Sequence, residues 1–189
     1  MRKGMSGDMI QRRGFLVGSA ALLFGSGACT KKAERFSSGA EARLKAAGII
    51  LPQAPKPVAN YVGWRKAGAL VFIAGQGPAL NAKGARGRLG AELSVAQGYQ
   101  AARAAALNSL AQLRAAVGSL DRVRQCLKME GFVNSTDDFH DQPKVLNGAT
   151  DLLVEIFGEQ GRPARYAVGV NTLPFNVAVE ISTVWEMAL

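Results

Sequence analysis

The stretch from Ser94 to Gly118 constrains the fold most. Ser94 and Gln97 stand in the spacing of a capping box, in which each residue satisfies the other's backbone N–H. Val95, Tyr99, Ala102, Ala106, Leu107, Leu110, Leu113 and Val117 then recur at helical spacing until Gly118 ends the run. A helix with one such stripe has to be covered, and its alanines let it lie close against a sheet. A second helix is predicted from Asp141 as N-cap and Pro143 near the first position. Its apolar face is Val145, Leu146, Ala149, Leu152, Leu153, Ile156 and Phe157, and Gly158 stops it.

Runs of β-branched and apolar residues supply the sheet. Ala59 to Arg65 and Ala69 to Gly75, split by Lys66 to Gly68, predict a first hairpin, and Val123 to Val133 predicts a further strand. Ala164 to Thr172 and Val177 to Met187, joined by a turn containing Pro174 and Asn176, read as paired strands. Glu41 to Ala47 fits a short helix ending at Gly48, and Leu51 to Pro57, with three prolines, must be extended. The glycine-rich stretch to Gly90 is a loop, and Gly75-Gln76-Gly77 alone is no dinucleotide fingerprint. The order is α+β, with both helices on one face of the sheet. The other face is left uncovered, and a second copy of the chain is its natural cover.

Composition narrows the function. Formal net charge is +9, but four of the 23 Lys and Arg and one of the 14 acids precede Cys29, leaving +6 for the rest. With no Arg-rich run and no aromatic interleaving, this is surface charge rather than a nucleic-acid footprint. Two cysteines and one histidine make neither a disulfide framework nor a zinc pattern. His140 lies in an acidic loop with Asp137, Asp138 and Asp141 and reads as surface, and Cys126 reads as a small buried residue.

The chemistry is expected in the last strands. Side chains alternate along a strand, so Arg165, Ala167 and Gly169 share one face while Tyr166, Val168 and Val170 share the other. Arg165 therefore stands beside two nearly absent side chains, where a guanidinium has room to hold a carboxylate by two parallel hydrogen bonds. Tyr166, on the opposite parity, is expected under the helices. Glu180 is opposite in parity to Val179 and Ile181, so its carboxylate leaves the apolar face.

Residues Gln11 to Cys29, QRRGFLVGSAALLFGSGAC, resemble a twin-arginine export signal, which implies a periplasmic destination. Ser26 and Ala28 fit a small-x-small cleavage site that releases a soluble protein. Gly27-Ala28-Cys29 resembles the end of a lipoprotein box, with Cys29 as lipid acceptor and the only membrane attachment. The chain thus divides into a signal over 1–28, a tether and short helix over 29–47, and a folded domain over 48–189.

That domain resembles the YjgF/YER057c/UK114 superfamily, also called RidA (reactive intermediate deaminase). The carriers are LVFIAGQGP from Leu70 to Pro78, VLNGATDLLVEIFG from Val145 to Gly158, and PARYAVGVNTLPFNVAVE from Pro163 to Glu180. The resemblance implies a chorismate-mutase-like fold, a homotrimer with clefts between subunits, and hydrolysis of 2-imino or 2-enamino acids without metal or organic cofactor. It also implies that Arg165 holds the substrate carboxylate and that Glu180 is associated with a water. Backbone near Ala74, Gly75 and Gln76, together with Tyr61 and Asn147, would complete the pocket. Ala74 replaces the family's serine, and Tyr166 stands where the family has a small residue. A trimer that binds a small carboxylate without turnover is the alternative. RNA cleavage fits poorly with export and with the lack of an RNA-binding signature.

Overall fold

The computed structural model describes residues 39–188 apart from Lys83. The expected export signal and Cys29 lie outside them. Helix α1 spans Ala40–Ala46, strand β1 Trp64–Ala67, β2 Leu70–Gln76, helix α2 Val95–Val117, β3 Val123–Asn134, helix α3 Gln142–Phe157, β4 Ala164–Val170 and β5 Val179–Met187. Both long helices start and stop where their local chemistry directs. Ser94 Oγ accepts from Gln97 N–H while Gln97 Oε1 accepts from Ser94 N–H, and Gly118 and Gly158 end α2 and α3 at positive φ. At α3 the Asp141 carboxylate makes no capping bond and pairs with Lys144 at 2.9 Å instead.

The five strands lie in the order β1-β2-β5-β3-β4. β5 runs antiparallel to both β2 and β3, so β2 and β3 point the same way, and β3 and β4 are parallel neighbours. Strands that point the same way need crossovers, which α2 and α3 provide. Right-handed crossovers put both helices on one face, as expected. Gly148 lets those helices touch, since a Cβ there would collide with the backbone carbonyl of Tyr99. Beneath them lies one core that runs from Leu110 and Leu113 of α2 and Leu152 and Ile156 of α3 to Ile181 and Trp185 of β5, and it takes in Ala40 and Leu44 of α1. Trp185 Nε1 donates to Thr183 Oγ1, which also bonds Ser109 Oγ, each at 2.9 Å, so the buried polar atoms satisfy one another.

Three expectations are corrected. β4 and β5 do not pair, because β3 lies between them. Their connection belongs to the glycine-rich loop instead: Ala178 N–H donates to Ala85 O at 2.8 Å and Gly87 N–H to Asn176 O at 3.0 Å. The first strand is only Trp64–Ala67, and the turn is Gly68-Ala69, with Gly68 supplying the positive φ. Residues 58–63 bend instead of extending. Finally, Tyr166 does not pack under the helices. Arg165 faces them, so alternation turns Tyr166 to the open face, where it is 40% exposed and packs edge-on to Phe132. Phe72 and Val168 are exposed as well. The open face also carries Glu130, whose carboxyl is held down at about 2 by Lys128 and the Ser182 hydroxyl.

Candidate functional site

A recess of about 680 Å³ opens where β2 ends. β2 carries a bulge between Ile73 and Gln76, and Gln76 Nε2 donates to the carbonyls of Ala74 (3.2 Å) and Gly75 (2.9 Å), which fixes the bulged backbone. A Cβ at Gly75 would meet the Glu180 carboxylate, so a larger residue there would push that side chain aside. One wall is the proline segment Pro52 to Pro57 with Val58 and Tyr61, laid across the recess as a strap. Gln112 of α2, 4% exposed, ties it down: Nε2 donates to Pro55 O at 2.6 Å and the amide fills the space over Gly63. One turn earlier Asn108 Nδ2 donates to Gly77 O at 2.8 Å.

Glu180 lies in this recess, half-buried. Burial pushes its carboxyl above the ordinary range, and among the described residues no hydrogen-bond partner or counter-charge reaches it. A desolvated carboxylate with no partner is a proton acceptor in waiting. At the mouth, Phe175 and Asn176 both adopt left-handed backbone, at φ 58° and 57°. For Phe175 this costs about 1–2 kcal/mol, whereas asparagine tolerates it. Asn134 Nδ2, donating to Asn176 Oδ1 at 2.9 Å, helps hold the turn, which leaves the Phe175 ring 60% exposed beside the recess.

Arg165 is elsewhere. It sits on the outer strand β4 on the helix side, and its Nη1 donates to Asn147 Oδ1 and Thr150 Oγ1 of α3, both at 3.1 Å. Among the described residues no carboxylate comes within ion-pair distance of it, and partial burial lowers its pKa while Asp151 opposes that shift. The open space predicted beside Gly169 is occupied, since Ser135 and Gln142 crowd the place of a Cβ. The guanidinium leans on neutral partners and keeps its charge unspent.

The structure thus gathers Tyr61, Ala74, Gly75, Gln76 and Glu180 in one place and Arg165 with Asn147 in another. Met129 is level with both Arg165 and Thr183, whereas Glu180 is three residues further along β5 on the other face. Two strand spacings, about 10 Å, also separate them. No small molecule touches both within one chain. Thr150, Asn108, Gln112 and Phe175 were not anticipated. Thr150 was legible as the position one helical turn beyond Asn147, and Asn108 and Gln112 as polar breaks beside an apolar stripe. Nothing local marked Phe175. Cys126 is buried and its thiol is pushed up to about 12 by burial, so it is unreactive. His140 is exposed.

Comparison with known proteins adds the following. A family model described as "YjgF/chorismate_mutase-like, putative endoribonuclease" matches residues 41–187. The chain is 46% identical over 148 residues to Protein TCP17 of Trypanosoma cruzi, covering 77% of this chain and 92% of that protein. It is 33% identical over 136 residues to the RutC family protein PH0854 of Pyrococcus horikoshii, covering 72% and 94%. Among solved structures, the protein Atu1372 of Agrobacterium tumefaciens matches with a TM-score of 0.72 at 41% identity, over 78% of this chain and 92% of that one.

Proposed function

This chain belongs to the YjgF/chorismate-mutase-like family, and from that premise we propose that it hydrolyses reactive 2-imino and 2-enamino acids to 2-oxo acids and ammonia. The reaction takes place in clefts that two protomers of a homotrimer complete. One observation carries the proposal: among the described residues, a guanidinium without an acid partner and a desolvated carboxylate without a hydrogen-bond partner lie on opposite faces of one sheet. Only a second copy can bring them to the same ligand. The exposed Phe72, Tyr166 and Val168 on the uncovered sheet face support that assembly.

In such a cleft Arg165 of one protomer holds the substrate carboxylate through two parallel hydrogen bonds, with Asn147 and Thr150 steadying the guanidinium. Glu180 of the next takes a proton from water as the water oxygen bonds to the C=N carbon and the π bond breaks, and Glu180 passes that proton to the nitrogen. The resulting hemiaminal loses ammonia when its C–N bond breaks and the remaining O–H proton passes through Glu180 to the leaving nitrogen. The water oxygen stays as the new carbonyl, and both its hydrogens leave on ammonia. Water and substrate supply every atom, so the step needs no redox partner.

The test is to generate an imino acid in situ with an amino acid oxidase and follow imine loss and ammonia release. Acceleration over the uncatalysed rate is the expected result. No acceleration across a range of imines would overturn the proposal in favour of a carboxylate-binding trimer, the reading that Ala74, with no hydroxyl to offer, supports.

The domain works outside the inner membrane, exported through the signal that ends before Cys29. Mass spectrometry of the mature N-terminus distinguishes an acylated Cys29 from a plain cleaved terminus, and a cell-derived chain that retains its first residues would overturn the export.

A further inference from the structure

A three-carbon imino acid needs little of the space beside Glu180. At about 680 Å³ the recess falls among sites that hold drug-sized molecules, about 300–1,000 Å³. Its walls are stiff and apolar. Pro52, Pro55, Pro57, Pro78 and Pro174 present rings that lose no rotamer freedom when a ligand orders them.

Three polar residues deep in the lining have donors committed already. Gln112 gives its amide hydrogen to Pro55 O, Asn108 to Gly77 O, and Gln76 to the carbonyls of the bulge. Gln53, Lys56 and Tyr61 also line the recess but are exposed, so the contacts a ligand makes past Glu180 come largely from the proline rings. At the mouth the Phe175 ring is held toward solvent by a left-handed backbone that Asn134 and Gly87 bond in place through Asn176. A strained turn that exposes an aromatic ring beside a cavity points to a contact with a ligand.

We infer that the recess selects 2-imino acids with a bulky apolar side chain, aromatic above all, and that Phe175 is the specificity-determining contact. This rests on the hydrolysis proposed above. The reacting carbon lies at Glu180 and the side chain runs along the proline rings, with Phe175 packing against its ring by offset or edge-on stacking.

Two measurements on the folded protein test this, the second of them without turnover. In the coupled assay, kcat/KM for the imine derived from phenylalanine exceeds that for the imine derived from alanine by about tenfold or more, and Phe175→Ala collapses the ratio toward one. By titration calorimetry, phenylpyruvate binds more tightly than pyruvate, and Phe175→Ala removes most of the difference. Phe175 is exposed, so its replacement does not threaten the fold. Equal handling of both imines, or a Phe175→Ala loss shared equally by both, overturns the specificity. Absence of any turnover with the phenylpyruvate preference intact overturns the hydrolysis alone, whereas equal binding of the two oxo acids overturns the inference whatever the turnover.

Discussion

Replacing Arg165 by alanine lowers kcat/KM for imine hydrolysis by about 10²–10³-fold, the usual consequence of truncating one partner of a desolvated, charge-assisted pair. The loss appears in KM as well as kcat, because a carboxylate held by two parallel bonds is both bound and oriented by them. Arg165→Lys recovers no more than about tenfold, since an ammonium restores the charge without the planar fork. Stability scarcely moves. Among the described residues the guanidinium donates only to Asn147 and Thr150, neutral groups near the surface, and losing such bonds costs about 1 kcal/mol. Thermal melts of the variant therefore stay within about 2–4 °C of the parent. A large activity loss without unfolding separates substrate binding from a structural role. Wild-type kcat/KM in Arg165→Ala would leave the guanidinium without a function in the reaction.

The helices were legible because their signals are local. Ser94, Gln97, Gly118 and Gly158 act on backbone within a turn of themselves, and the apolar stripes need only the helical period. Strand order is different, because it is decided by contacts far apart in sequence. Ala164 to Met187 looks like a hairpin to any local rule, because the strands read from the sequence leave only residues 173–176 between them, within the two to five usual for one. The eight residues 171–178 that separate β4 from β5 are set by the structure. Parity correctly separated Arg165 from Tyr166, but it gives no sign for which face the helices cover, and Tyr166 was misplaced for that reason. Asn147 and Arg165 meet because α3 crosses back over β4, a tertiary fact with no local trace. The strap shows the same limit: three prolines announce an extended segment, but only Gln112, 57 residues along the chain from Pro55, decides that it walls a cavity.

Glu180→Gln should lower kcat by about 10²–10⁴-fold while leaving KM nearly unchanged, since the amide keeps the shape of the carboxyl but accepts no proton. The pH profile of the parent bears on the same group. Burial raises its pKa, so the acid limb of kcat/KM lies above the range of an ordinary glutamate, and activity rises with pH as the carboxylate forms. Stability moves the other way. A folded-state pKa above the unfolded one means that Glu180 favours folding below the unfolded pKa and that this contribution is lost as pH rises through the folded pKa. At neutral pH the ionised group thus works against the fold. Among the described residues it has no hydrogen bond to lose, so Glu180→Gln raises the melting temperature there. Below about pH 4, where the parent is protonated as well, the difference closes. A lower melting temperature at neutral pH would mean that the carboxylate is bound by a counter-charge, and an unchanged kcat would remove it as the base. A gain in stability joined to a loss of rate is what a charge kept in a poorly solvated place for the sake of a reaction produces, and an incidental surface glutamate produces neither.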